Sequence, residues 1–203
     1  MKIGIHIFRK DLRIIDNLAL NELSSQVDAI VPIFILDPAQ IVLTKQNKYY
    51  FSPRAARFLL DCLIDLNAAC GKLYIFKGDP ATVISKIIKI IKPSHISFNA
   101  DYTKYSLVRD KAIVDLCKTN QITPVINYSD QTLHEMNKLI KMSGEPYMVY
   151  GPFYKHAAST RVPQPHSNKI KFIKVSLNAL DVKDPFIQSK YSNIALLSPG
   201  GRN

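Results

Sequence analysis

Phe8-Arg9-Lys10-Asp11-Leu12-Arg13-Ile14-Ile15-Asp16-Asn17-Leu18-Ala19-Leu20 follows a short apolar run, Ile3 to Ile7, and leads into a helical pattern. A dense block of mixed charges therefore stands where the first strand of an α/β sheet would end. Loops at the carboxyl ends of parallel strands are where such sheets build their sites.

Outward from that block, apolar runs of the same kind recur at Ala29–Leu36, Leu73–Phe76, His95–Phe98 and Thr123–Asn127. They are short, rich in Ile, Val and Phe, and mostly lack strict alternation, which suits strands covered on both faces. Helical patterns separate them. Asp16 is placed to cap a short helix over Asn17–Leu23. Ser52-Pro53 supplies a cap and a proline at the first helical position for a helix running to about Ala69, and Gly71 stops it. Asp79-Pro80 repeats that start for Ala81–Ile91, where Val83, Ile84, Ile87, Ile88 and Ile91 fall on one face. Residues from about Ser106 to Lys118 complete the series. The alternation implies a doubly wound, five-stranded parallel α/β sheet with right-handed crossovers. The expected strand order is 3-2-1-4-5.

The pattern stops near Tyr128. Residues 131–203 hold short apolar pieces, many prolines (Pro146, Pro152, Pro163, Pro165, Pro185 and Pro199 among them) and no sustained period. They read as an extended C-terminal connector wrapping over the α/β domain of residues 1–130. The stretch Asp37–Phe51, with Lys45, Lys48, Tyr49 and Tyr50, is longer than an ordinary connection, and loops of that length are often functional.

Composition narrows the classes. No apolar run approaches the ~20 residues that cross a bilayer, and the N-terminus lacks a signal-peptide layout. A soluble, intracellular protein, cytoplasmic or nuclear, is expected, with no membrane partner. Cys62, Cys70 and Cys117 are an odd, scattered set, which argues against a disulfide framework or a thiolate metal site. The net charge of +11 permits contact with polyanions, but the lysines are spread along the chain. No glycine-rich dinucleotide fingerprint, phosphate loop, zinc helix or serine elbow is present. His6 and His95 lie in strand-like runs and read as core histidines. Tryptophan is absent, which removes a common one-electron relay.

With strand order 3-2-1-4-5, a crevice opens where the order reverses, between the first and fourth strands. Its walls are Arg9, Lys10 and Asp11 on one side and Asn99, Ala100 and Asp101 on the other, with Leu36 and Asp37 nearby. An apolar floor with a few convergent polar groups suits a planar small molecule. Asp101 is placed to accept hydrogen bonds from a heterocycle and Arg9 to meet an anionic edge. The alternative is that Arg9, Asp11, Arg13, Asp16 and Asp101 pair within the protein and fix the loops.

The opening block resembles F-R-R-D-L-R-x-x-D-N-x-A-L of the DNA photolyase/cryptochrome family. The likeness continues in order along the chain. Ile33-Phe34-Ile35-Leu36-Asp37-Pro38 resembles the family's second strand. Arg57-Phe58-Leu59-Leu60 with Leu63-Ile64-Asp65-Leu66 resembles its following helix, and Gly78-Asp79-Pro80 the start of the next. Phe98-Asn99-Ala100-Asp101-Tyr102-Thr103, with Tyr105, Arg109 and Asp110, is similar to its F-N-x-D-Y-T-P-Y-x-x-R-D segment. Gly144-Glu145-Pro146-Tyr147-Met148-Val149-Tyr150-Gly151-Pro152-Phe153 matches a later motif. Lys10 stands where a second arginine is usual, and Ile7 where Trp is frequent.

The resemblance implies an N-terminal antenna domain and an interdomain connector that stops at the start of a helical domain. In the family, that helical domain binds FAD and receives the pyrimidine dimer. A separate helical FAD-binding chain is then the expected partner, with damaged DNA met through it. The chain is not expected to repair DNA alone. The implied cofactor is an antenna chromophore, a deazaflavin or methenyltetrahydrofolate, and in some members a flavin. The positions matching the deazaflavin pocket are Arg9, Leu36, Asp37 and Asp101. The folate-type position lies near Tyr105 and Ser106. Two other readings remain: a free-standing nucleotide- or flavin-binding module, and an inactive remnant of a photolyase.

Overall fold

Each apolar run becomes a strand because alternate side chains find cover on opposite faces of one sheet. The computed structural model describes residues 1–38, 52–135, 138–166, 168–180 and 200–201. The loop residues Lys45, Lys48, Tyr49 and Tyr50, together with Pro185, Pro199 and Arg202, lie outside the described residues.

The elements in chain order are β1 (Ile3–Phe8), α1 (Leu18–Ser24), β2 (Ala29–Leu36), α2 (Pro53–Cys70), β3 (Tyr74–Lys77), α3 (Pro80–Ile91), β4 (His95–Asn99), α4 (Lys104–Thr119), β5 (Thr123–Asn127) and α5 (Tyr150–Ser159). The strands form one five-stranded sheet of order β3-β2-β1-β4-β5, and every pairing is parallel. This is the doubly wound α/β fold expected from the sequence.

Two apolar layers sandwich the sheet. Ile5 and Ile7 of β1, Val31 and Ile33 of β2 and Phe98 of β4 face α3 and α4, meeting Ile84, Ile87 and Ile113. Phe8, Ile30 and Phe34 face the other way, toward Leu20 and Leu23 of α1 and Leu63 and Leu66 of α2. Gly4 lies on that second face. A Cβ there would stand 2.8 Å from Leu23 Cδ1, so the missing side chain is what lets α1 settle on β1.

The helix starts follow the capping chemistry, with one correction. Ser52, Asp79 and Thr103 accept hydrogen bonds from Ala55, Thr82 and Ser106 N–H. At α1 the cap is Asn17, whose side chain accepts from Leu20 N–H, and not Asp16. Asp16 sits one residue earlier with φ 56°, a turn conformation that cannot lead directly into a helix.

The connector is anchored at successive points. Asp130 accepts from Leu18 N–H at 2.9 Å and from Arg13 at 2.8 Å. His166 N–H donates to Asp16 at 3.1 Å, and Asn168 bonds Asn21 and Ser24 along α1. The chain then exchanges backbone bonds with Ile30 through Lys171 and Ile173. The Tyr74 hydroxyl donates to Val175 C=O at 2.8 Å and accepts from Val175 N–H at 2.7 Å. Leu180 N–H reaches Ile75 C=O at 2.8 Å, outside the edge strand β3. Residues 131–165 form an arm that leaves and returns at the start of α1. This arm holds α5, a helix in the stretch read as extended. Pro152 falls within the first turn, where proline is tolerated.

Gly200 and Gly201 lie against α2. A Cβ on Gly200 would stand 2.4 Å from Phe58 O. Gly201 N–H lies 3.2 Å from Cys62 Sγ.

Among the described residues, no helix is long and apolar enough to cross a membrane. No group of His, Cys, Asp and Glu among them is arranged to hold a metal ion.

Candidate functional site

The carboxyl ends of β1 and β4 meet at the switch point, where the chain places three layers of charged and polar groups. The deepest is Asp11, Asn17 and Asn99. Asp11 accepts from Arg9 N–H at 2.8 Å and from the side-chain amides of Asn17 at 3.1 Å and Asn99 at 2.5 Å. Asn99 also donates to Asn17 at 2.9 Å and accepts from Ala19 N–H at 3.1 Å. The three side chains bind the β1 loop, the N-terminus of α1 and the end of β4 into one unit. All three are buried, and each buried polar atom of such a unit must be satisfied for it to hold.

The second layer is Arg9. Its guanidinium turns toward α4, lies over the Phe98 ring at 4.1 Å, and donates to Asp110 at 3.0 Å and Asn99 C=O at 3.2 Å. Asp110 is shared with Arg109, whose Nε donates to it at 2.9 Å. Burial, and then the like charge of Arg109, pull the Arg9 pKa down to about 10 against the pull of Asp110. Arg13 is bound to Asp130 in the same manner. Burial raises the Asp130 carboxyl above its ordinary value, against the Leu18 N–H and Arg13.

The outermost layer is the pair Lys10 and Asp101, 2.7 Å apart. The Asp101 carboxylate is nearly buried, while the lysine is 69% exposed. Asp101 also accepts from Tyr102 N–H at 2.7 Å. Burial alone would raise its pKa, but Lys10 and the N–H groups of Tyr102 and Thr103 outweigh it and hold the carboxyl below its usual range. The result is an anionic acceptor at the rim whose charge partner reaches into solvent.

The structure brings Arg9, Lys10, Asp11, Asn99 and Asp101 together at this end of the sheet. Leu36 ends β2, which is the strand beside β1, and Asp37 follows it and is buried. Tyr105 lies elsewhere, on the first turn of α4. It sits over Arg109 at 5.6 Å and lines a cavity of about 150 Å³ with Asp79, Pro80, Ala81 and Val108. Ser106 is buried and accepts a hydrogen bond from the Thr103 hydroxyl at 2.7 Å. Sequence reading identified the members of the crevice but not the Asp110 and Arg109 side chains that take up Arg9. The Arg109-Asp110 dipeptide was the available signal, since a buried arginine needs a carboxylate.

The sequence model of the DNA photolyase family matches residues 4–181. A deoxyribodipyrimidine photo-lyase of Synechococcus sp. is 28% identical over 193 residues, covering 93% of this chain and 39% of its own length. Cryptochrome-1 of Macaca fascicularis is 33% identical over 157 residues, which is 74% of this chain and 25% of the cryptochrome. Among solved structures, the archaeal photolyase of Sulfolobus tokodaii superposes with a TM-score of 0.83 at 29% identity, over 98% of this chain and 44% of that one. That structure contains two FAD molecules and is described as implying a novel light-harvesting cofactor. A Synechocystis cryptochrome shares the fold at a TM-score of 0.83 and 22% identity. The chain spans less than half the length of the photolyases it matches. With the family's sequence model running from β1 into the connector, and the sheet order and switch-point loops in place, this chain belongs to the DNA photolyase family.

Proposed function

We propose that this chain is the antenna-holding α/β domain of a photolyase-type system for light-dependent DNA repair. FAD and the damaged DNA are handled by the helical half of that system. The observation that carries the proposal is the Lys10–Asp101 pair at the mouth of the switch point. Asp101 is held ionised there, and among the described residues a flexible lysine is its cationic partner. A flavin or deazaflavin ring offers N–H groups to such a carboxylate. Leu36 and Asp37 would border the ring from β2. Arg9 stiffens the floor through Asp110 instead of facing the ligand.

A ring of the flavin class is favoured over a folate. Ser106 is spent on the start of α4, and no carboxylate follows Tyr105 in that turn. The two FAD molecules of the Sulfolobus tokodaii photolyase support the same choice. When bound, the antenna absorbs light and passes the excitation to FAD.

The test is titration of the purified chain with FAD, FMN, a deazaflavin and methenyltetrahydrofolate, followed by fluorescence. One ring of the flavin class is expected to bind. Asp101→Ala should weaken it by roughly 1–3 kcal/mol through loss of a charge-assisted hydrogen bond. Binding of none of the four overturns the antenna reading. Repair of ultraviolet-damaged DNA by this chain with FAD under blue light, and no helical half, overturns the assignment of repair to that half.

A further inference from the structure

The helices divide their charge between the two faces of the sheet. On one face, α1 and α2 carry Arg54 and Arg57 against Glu22, Asp61 and Asp65. On the other, α3 and α4 with their caps carry seven cations against Asp79, Asp110 and Asp115. Arg109 is spent on Asp110. That leaves Lys86, Lys89, Lys92, Lys104, Lys111 and Lys118, all of them exposed. None of the six has a carboxylate within ion-pair distance among the described residues. Spread out in sequence, they are gathered in space because two successive crossovers cover the same face and pack against each other.

A groove of about 400 Å³ lies between these helices, lined by Ala81, Thr82, Ser85, Lys86 and Lys89 of α3 and Leu116 of α4. No carboxylate lines it. The Thr82 hydroxyl donates to Asp79 at 2.8 Å, so the half-buried Ser85 is the hydroxyl left to serve the groove. Ammonium groups around a hydroxyl donor are the means by which proteins hold phosphodiester oxygens. A bilayer surface is flat and meets the lysine tips without reaching Ser85, whereas a single sugar-phosphate strand enters the groove. We infer that the α3–α4 groove seats one strand of duplex DNA by its phosphates. Lysines acting as point charges read no bases, so the contact is independent of sequence and of any lesion. The inference rests on the repair reading above for its choice of duplex DNA, and not on the antenna.

The test is fluorescence anisotropy of a short, undamaged, labelled duplex titrated with the purified chain. Wild type should bind, and affinity should fall by roughly a hundredfold between ~50 and ~200 mM salt, as about four phosphate contacts require. Lys86→Gln with Lys89→Gln should weaken binding about tenfold at low salt and reduce the salt slope by about 2. Lys169→Gln with Lys174→Gln removes the same charge from exposed positions of the connector and should leave both unchanged. All four lysines are exposed, so circular dichroism should match wild type in both variants. Equal weakening by the two pairs shows net charge acting without a seat and overturns the inference. So does no binding of the duplex at low salt, even where the antenna titration succeeds. Tighter binding to phosphatidylglycerol vesicles or to single-stranded RNA than to the duplex gives the groove another occupant and also overturns it.

Discussion

Arg9 and Asp110 are 101 residues apart in sequence and 3.0 Å apart in space, and together they join the end of β1 to α4. Both side chains are close to nine-tenths buried. Asp110 serves two guanidiniums, Arg9 and Arg109, so its removal leaves two buried cations without a carboxylate. Asp110→Ala should cost about 3–5 kcal/mol. In a chain of this size, that lowers the melting temperature by roughly 10 °C. Thermal unfolding followed by circular dichroism checks it, and a loss below about 1 kcal/mol would show that water enters the site.

Asn17 caps α1 and donates to Asp11. Asn17→Ala removes the cap and leaves Asp11 and Asn99 each short of a partner. About 3 kcal/mol should be lost, the cap contributing about 1 of it. Asp16→Ala, one residue earlier, should leave the helix cap intact. Urea denaturation of the two variants side by side decides which residue holds the helix.

His6 is fully buried, with Nδ1 2.7 Å from Ser97 Oγ and Nε2 without a hydrogen-bond partner among the described residues. Burial lowers its pKa to about 4, against the attraction of Asp11. The unfolded chain binds a proton here below pH ~6.5, while the folded chain resists until about pH 4. Stability from this group is therefore full above pH ~6.5 and drains away as pH falls toward 4, by about 3 kcal/mol in all. A His6→Leu, Ser97→Ala double variant removes both polar groups. Its unfolding free energy should fall less than that of wild type between pH 7 and pH 4.5. Parallel curves for the two proteins would refute the assignment.

Gly200 lies where a methyl group would strike the Phe58 carbonyl. Gly200→Ala should lift this segment off α2 and uncover Cys62, which is half-buried beside it. Burial, the first of several influences, raises the Cys62 pKa and keeps it sluggish. Ellman's reagent should label Cys62 several-fold faster in the variant. Cys70 and Cys117 are buried and should stay unreactive in both.

The sheet was legible because each strand is covered on both faces, which leaves an unbroken apolar run in the text. The expected Ala29–Leu36 and Thr123–Asn127 are the observed β2 and β5, and the run from Ile3 to Ile7 is β1 short of its last residue, Phe8. The helix over 53–70 was equally plain from Ser52-Pro53 and Gly71. Helix α5 was not legible, because periodicity records a buried face and α5 has none. The cap of α1 was misplaced by one residue because Asp16 and Asn17 are both good caps, and only the backbone turn at Asp16 separates them. The members of the crevice could be named from order alone. The turn of Arg9 toward α4 could not, since it depends on Phe98 and Asp110 from two later elements.

Among the described residues the connector sets a backbone bond on β3, one of the two outer strands of the sheet: Leu180 bonds Ile75 there, after Tyr74 has clasped Val175. An outer strand with free amides invites any passing extended peptide. A version of this chain ending at residue 165 would keep its sheet but lose that guard. Such a fragment would offer β3 to a second copy of itself, so the tail blunts that edge of the sheet.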